Sequence, residues 1–386
     1  MKIALVSFGH VDVVLPLVKN LKNRNVFVEL FFCFAFDRKS ESILDFTDKK
    51  ISIGFLTNEK INEILNEGIK RYLSDISFIN IFIFHNQKLR SIKNFLISLS
   101  LIKKLKTYDI IHFNGTNGVL PLIIFLLRGK KLIFTLHDIY SHSGEKTKYN
   151  FGEKLNEYIV KSNYPLIVQN INDYAYLINK YPRIAFKFNF IPFGVLDVYK
   201  EFKTIKKEPK SDLLFFGRIS PYKGIEYLLD SIRELFNNGI ILKTIIAGSG
   251  DIYFKNGDLE KIGVKLINRY IPNEELVALI EGTKIIICPY TDATQSGAVM
   301  TAFAFNKPVI ASDVGSFPEV IKDGITGFLV KPKDTGELAS KISILLSSPE
   351  LLNNMSDNIN RMTTSGEYSW NRITEKLANL YNSVLQ

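Results

Sequence analysis

Apolar residues along this chain follow two periods. Short unbroken runs such as "IALVS" and "LIFTL" alternate with longer stretches in which apolar positions recur every three or four residues. The runs read as strands covered on both faces, the longer stretches as helices with one apolar side. In the first half the pattern predicts strands at 3–7, 26–32, 110–113, 132–136 and 166–168, and helices at 13–22, 91–104 and 153–160. The second half repeats the scheme. "DLLFFG", "KTIIAGSG", "KLINR", "KIIICPY" and "KPVIASD" read as strands, the last leading to a final turn, and 224–237, 273–281 and 297–305 read as helices. Strands alternating with helices imply parallel sheets joined by helical crossovers.

A chain of 386 residues, 46% hydrophobic and 23% charged, is globular and long enough for two domains. The stretch "KEFKTIKKEPKSD" (200–212) is polar, Lys-rich and carries a Pro, as a linker does. The expected divisions are a first domain at 1–195, a second at 196–368 and a terminal segment at 369–386. That segment is amphipathic and holds the only Trp, Trp370. It is expected to pack back on the first domain; the alternative is a last core helix of the second.

Cys33 and Cys288 lie far apart inside apolar runs and read as buried, reduced and inert, as in a cytoplasmic protein. No Cys/His cluster suggests zinc. The opening run ends at Gly9, His10 and Asp12 with no small-residue cleavage site after it, so it reads as a strand rather than a leader. The apolar run 119–127 is too short to span a bilayer.

Charge is unevenly spread. Residues 1–195 hold 27 Lys and Arg against 16 Asp and Glu, net +11, while residues 196–386 hold 22 against 23, net −1. Segment 88–106, "KLRSIKNFLISLSLIKKLK", has apolar and basic positions at helical spacing. Two readings stay open: a helix resting on anionic lipid headgroups, or a core-facing helix with a solvated basic side. No nucleic-acid-binding motif accompanies the charge.

Ligands of doubly wound folds bind at the carboxyl ends of strands. At one such end, "GRISPYKG" places Gly217, which lets the backbone turn, beside Arg218, a planar fork, and Lys223, a point charge. A helix opening near Gly224 adds its positive end, and the set suits a diphosphate. "AGSG" (247–250) is a second glycine-rich strand end. In "DATQSGAVMT" (292–301), Ser296 and Gly297 open a helix and Gln295 offers a hydrogen bond to sugar or phosphate.

Taken in order, "GR…KG", "AGSG", "SG", "KPVIASDVG…PE" and "DGITGFLV" resemble the nucleotide-binding domain of the retaining glycosyltransferase family 4. The resemblance implies a GT-B fold, with two doubly wound Rossmann-like α/β domains facing each other across a cleft. It implies that Arg218 and Lys223 bind the donor diphosphate and stabilise the departing nucleoside diphosphate. Backbone at Arg269, Tyr270 and Ile271 would meet the base, and Ser296–Gly297 the phosphates or sugar. The family's Glu-x7-Glu pair is absent: its second member aligns with Thr301 and its first with Ala293, beside Asp292. Thr301 and Asp292 are then the substitutes, as in a subgroup that reads "ATQSG".

In the first half, "LIFTLHDIYSHSGE" (132–145) ends a strand at His137, which matches the family's strand-end His near the reacting centre. An imidazole there would take the acceptor's proton or bond the donor sugar, with Asp138 orienting it. Gly9 would lie near the donor; His10, His142 and Glu145 are candidates on the acceptor side.

The implied activity is a hexosyltransferase-type transfer from a nucleoside-diphosphate sugar to a glycan or lipid-linked hydroxyl, with retention. It would need neither cofactor nor metal, because no Asp-x-Asp ends a strand. The expected place is the cytoplasm, or the inner face of the membrane. An epimerase or phosphorylase of the same fold, a nucleotide-sugar-binding protein without turnover, and a membrane-surface scaffold are the alternatives.

Overall fold

The computed structural model describes every residue except 38, 39, 42, 48, 87–90, 138, 140–150, 203–209 and 294–296. Two compact units account for the described residues. One runs to Gly194 and takes back Trp370–Gln386; the other is Val195–Ser369.

The first unit is built on an eight-stranded sheet. Its order is Phe188–Phe190, Leu166–Val168, Lys131–Leu136, Ile110–Asn114, Ile3–Ser7, Val28–Ala35, Ile79–Phe84 and Gly54–Phe55. All pairings are parallel except that of the short edge strand Gly54–Phe55 with Ile79–Phe84. The apolar runs are buried on both faces, which parallel crossovers require. Helices Ile92–Leu105, Leu120–Leu126 and Phe151–Lys161 close one face through Leu101, Leu105, Ile123, Ile124, Leu155 and Ile159.

The terminal helix Trp370–Leu385 belongs to this unit and packs against helix Val11–Asn23. Trp370 and Tyr381 are 7% and 0% exposed, and burying an aromatic ring contributes roughly 2–3 kcal/mol. A Cβ on Gly194 would lie 2.7 Å from the Trp370 ring, so only Gly admits that ring. The Arg24 guanidinium donates to Thr374 Oγ1 at 3.0 Å and to the Asn371 carbonyl at 2.7 Å. His112, one step away from the core-facing Ile111 and Phe113, shares hydrogen bonds with the Tyr381 hydroxyl (2.8 Å) and Thr135 Oγ1 (2.7 Å).

The second unit holds a six-stranded parallel sheet. Its order is Val264–Asn268, Thr244–Gly248, Ser211–Phe216, Thr283–Cys288, Val309–Ser312 and Gly327–Val330. Counted within the unit this is 3-2-1-4-5-6, and the direction of winding reverses between Ser211–Phe216 and Thr283–Cys288.

Several elements go beyond the sequence reading. Strand Ile79–Phe84 follows two short helices, Asn58–Ile64 and Glu67–Leu73, whose few apolar positions give little periodicity. After "KPVIASD" the chain does not finish in a turn but adds strand Gly327–Val330 and helices Thr335–Ser347 and Pro349–Thr364. Ser211, read as linker, already belongs to the strand that Asp212 continues: the Asp212 carboxylate accepts from Lys243 N–H (2.9 Å) and Lys284 Nζ (2.8 Å), which hides its polarity at the strand's start.

Candidate functional site

The reversal point of the second unit is where its chemistry gathers. Strand Ser211–Phe216 ends at Gly217, at φ 127°, a conformation that only glycine adopts freely. The loop that follows is pinned to its neighbour: Gly217 N–H donates to Ala247 O at 3.0 Å and Ile219 N–H to Ser249 O at 2.9 Å. A Cβ on Gly248 would sit 1.7 Å from Gly217 O, and one on Gly250 2.0 Å from Ile219 O. The "AGSG" glycines therefore serve the close approach of the loop that carries Arg218.

Arg218 is exposed on this loop, and a short 3₁₀ turn, Pro221–Lys223, brings Lys223 back towards it. The Lys223 ammonium lies 3.8 Å from the centre of the Tyr290 ring and 4.8 Å from that of Tyr222. Tyr290 is buried just past the end of strand Thr283–Cys288, and Thr291 N–H donates to Tyr222 O at 2.8 Å, so the two strand ends are tied together. Burial pulls Lys223 down to about 8; Cys288 opposes this and neighbouring Arg218 adds to it. Two cations close enough to disfavour each other are poised for an anion of more than one charge.

Gly224, at φ 65°, begins helix Ile225–Asn237; a Cβ there would lie 1.9 Å from Pro289 O. The helix end is less open than expected, because Ile225 N–H already donates to the Tyr253 hydroxyl at 3.0 Å.

The other donor-side residues divide. Arg269 reaches the same sheet edge through its backbone, N–H to Gly248 O at 2.9 Å, while its guanidinium is bound bidentately by Glu275 at 2.7 and 2.8 Å. Tyr270 is 62% exposed and Ile271 half-buried beside it. Gly297 is exposed at the start of helix Gly297–Ala304. Thr301 is buried, and its hydroxyl donates to Gly297 O at 2.7 Å within its own helix, which leaves its oxygen only as an acceptor. Asp292 is half-buried next to Ala293, whose carbonyl would be 1.6 Å from a Cβ on Gly315. Gln295 and Ser296 lie outside the described residues, as do Asp138, His142 and Glu145.

In the first unit, the ends of Ile3–Ser7, Ile110–Asn114 and Lys131–Leu136 bring His10, Gly115 and His137 together. The two imidazoles stack with ring centres 3.9 Å apart. His10 holds a left-handed backbone, φ 55°, at the start of helix Val11–Asn23. The turn before it is fixed by Ser7 Oγ, which donates to Gly9 O at 2.5 Å and accepts from Asn114 Nδ2 at 3.1 Å. His137 Nε2 is buried with no hydrogen-bond partner among the described residues. Burial drives His137 well below the usual histidine value and His10 adds to this, while Gln169 works against it. The imidazole is thereby held neutral, which makes it a weak base and leaves its ring nitrogens to hydrogen bonding. Sequence reasoning missed the tyrosine seat of Lys223 and the Ser7–Asn114 brace, because both join residues far apart in the chain.

Among the described residues no three His, Cys, Asp or Glu side chains gather as a metal site would need. A parallel sheet whose winding reverses beside two glycine-flanked cations defines the second unit as doubly wound. Residues 199–362 match the family model described as "Glycosyl transferases group 1". Over 179 residues the chain is 28% identical to the alpha-D-kanosaminyltransferase of Streptomyces kanamyceticus, covering 45% of each. The chain spans less than half the length of the first curated relatives it matches.

Solved structures extend the likeness to the whole chain. Sucrose-phosphate synthase from Thermosynechococcus elongatus matches 100% of this chain and 99% of its own, at TM-score 0.67 and 18% identity. Anabaena HepE in complex with UDP-glucose matches 99% and 100%, at TM-score 0.66 and 16% identity. At such identities the likeness is one of fold, and the fold is GT-B, with two Rossmann-like α/β units.

Proposed function

We propose that this protein is a glycosyltransferase that moves a sugar from a nucleoside-diphosphate donor to an acceptor hydroxyl, with retention at the anomeric carbon. The observation that carries the reading is the Arg218–Lys223 pair at the reversal point of a sheet that matches the group 1 glycosyl transferases. A UDP sugar is the first donor to test, since solved structures of the fold hold UDP and UDP-glucose.

As the C1–O bond breaks, positive charge develops on the sugar and the diphosphate gains negative charge. Arg218 and Lys223 interact more strongly with the diphosphate then than before, which lowers the barrier. His137, held neutral by burial, is placed to hydrogen-bond the donor sugar or to receive the proton of the acceptor hydroxyl. The donor phosphates are neutralised by side chains, without a metal. The acceptor is a glycan or lipid-linked hydroxyl.

The test is transfer by Lys223→Ala. Loss of one transition-state donor is expected to lower kcat/KM at least ~100-fold, with Lys223→Arg recovering part of it. Near wild-type transfer by Lys223→Ala would refute the role. Incubation with nucleotide sugar alone should yield neither an epimer nor a sugar phosphate; either product in quantity would replace this reading with an epimerase or a phosphorylase.

A further inference from the structure

Helix Ile92–Leu105 is inside out over its first half. Its buried side carries Asn94 and Ser98, both 0% exposed. Ile92, Phe95, Leu96 and Leu99 face outward at 79%, 41%, 59% and 45% exposure. An ordinary surface helix does the reverse. The buried polar groups are satisfied. Asn94 Oδ1 accepts from His85 N–H at 3.1 Å, Asn94 Nδ2 donates to Asn86 O at 2.9 Å, and Ser98 Oγ donates to Asn94 O at 2.6 Å. These bonds lock the helix so that its apolar residues stand in water. On the adjoining helix Leu120–Leu126, Phe125 is 61% exposed, with the Arg128 guanidinium 5.0 Å from its ring.

The surroundings are cationic. From residue 76 to residue 137 the sequence has nine Lys and Arg and one acid, Asp109. The Asp109 carboxylate is already occupied, accepting from the backbone N–H of Lys2 at 2.7 Å. Lys104 meets Glu29 at 3.4 Å, while Lys93, Lys103 and Arg128 are exposed. Among the described residues no helix is long and apolar enough to cross a membrane.

We propose that this face of the first unit docks on an anionic lipid bilayer. Ile92, Leu96 and Leu99 enter the boundary between headgroups and acyl chains, and Lys93, Lys103 and Arg128 meet lipid phosphates. An exposed apolar cluster with a basic rim fits that surface. A second copy of the chain would set like charges against each other across a two-fold axis. The inference stands on the first unit alone and does not depend on sugar transfer.

The experiment is co-sedimentation of the full chain with phosphatidylcholine vesicles, with and without phosphatidylglycerol. Binding is expected only with the anionic lipid and should fade as salt rises towards 1 M, where the screening length falls to about 3 Å. Leu96→Gln with Leu99→Gln should reduce binding at least ~10-fold, and Lys93→Gln roughly fivefold, the worth of one cation near such a surface. Unchanged melting temperatures would show that the variants fold. Failure to bind anionic vesicles at low salt, or binding unaltered by the double substitution, overturns the proposal. A concentration-dependent dimer or an acidic protein partner lost with the same double substitution, without vesicle binding, would overturn it in favour of a protein interface.

Discussion

Lys223 rests over two tyrosine rings instead of standing in open water, and that seat changes how its charge responds to pH. Burial holds it at about 8, below the ordinary lysine value, so above that pH the empty site sheds the charge that a diphosphate would meet. Donor affinity is therefore expected to fall as pH rises through 8, by about tenfold at pH 9, where the cationic form is the minor one. Calorimetric titration with a nucleoside diphosphate at pH 7, 8 and 9 reads this directly, and a flat profile would contradict it. Stability moves the opposite way. Between pH 8 and the unfolded-state value the unfolded chain holds the extra proton, so this residue's contribution improves as pH rises across that window.

Arg218 and Lys223 were legible in the sequence, because a glycine and two cations after an apolar run form a local pattern. The seat on Tyr290 was not, because that ring lies 67 positions further on, just past a strand that only sheet pairing brings alongside. The partner of the Thr301 hydroxyl was not legible either. A hydroxyl in a helix has its own i−4 carbonyl as a competitor, and here that carbonyl took it.

At the level of elements, the terminal helix Trp370–Leu385 is held to the first unit by a few specific ties, of which His112–Tyr381 is the most buried. Tyr381→Phe removes the hydroxyl and leaves His112 Nδ1 unpaired inside the protein. The expected cost is about 1–3 kcal/mol, measured as a lower urea midpoint for the transition of the first unit; an unchanged midpoint would show that the bond contributes nothing net. Burial keeps His112 down at about 3. A histidine with a depressed value in the fold binds its proton mainly when unfolded, so stability from this site is present above about pH 6.5 and drains away as pH falls towards 3. Amphipathicity in the sequence announced the terminal helix. The first domain was its expected seat, but the pattern alone left the second open, since an apolar stripe does not name its partner.

Over the whole molecule, the excess of positive charge lies in the first half while the second is nearly neutral. If the donor's charge is met by two side chains and not by a divalent cation, activity should survive excess chelator. A Mg²⁺ requirement restored on adding the ion back would contradict the metal-free scheme. A donor nucleotide at a hundred times its dissociation constant should stabilise the protein by about 2.7 kcal/mol, visible as a raised melting temperature; a screen of UDP, GDP, ADP and dTDP sugars ranks the candidates by that shift.

The sequence by itself determined the alternation of strand and helix, the repetition of that scheme in two halves and the loop bearing Arg218 and Lys223, because each depends on residues near one another in the chain. Tertiary structure alone decided the rest. It placed the last helix on the first unit, stacked His10 on His137, seated Lys223 on Tyr290, and turned Asn94 and Ser98 inward so that Ile92, Leu96 and Leu99 face out. Those outcomes rest on contacts between distant residues and on which polar groups find partners in the interior, and periodicity along a chain carries no record of either.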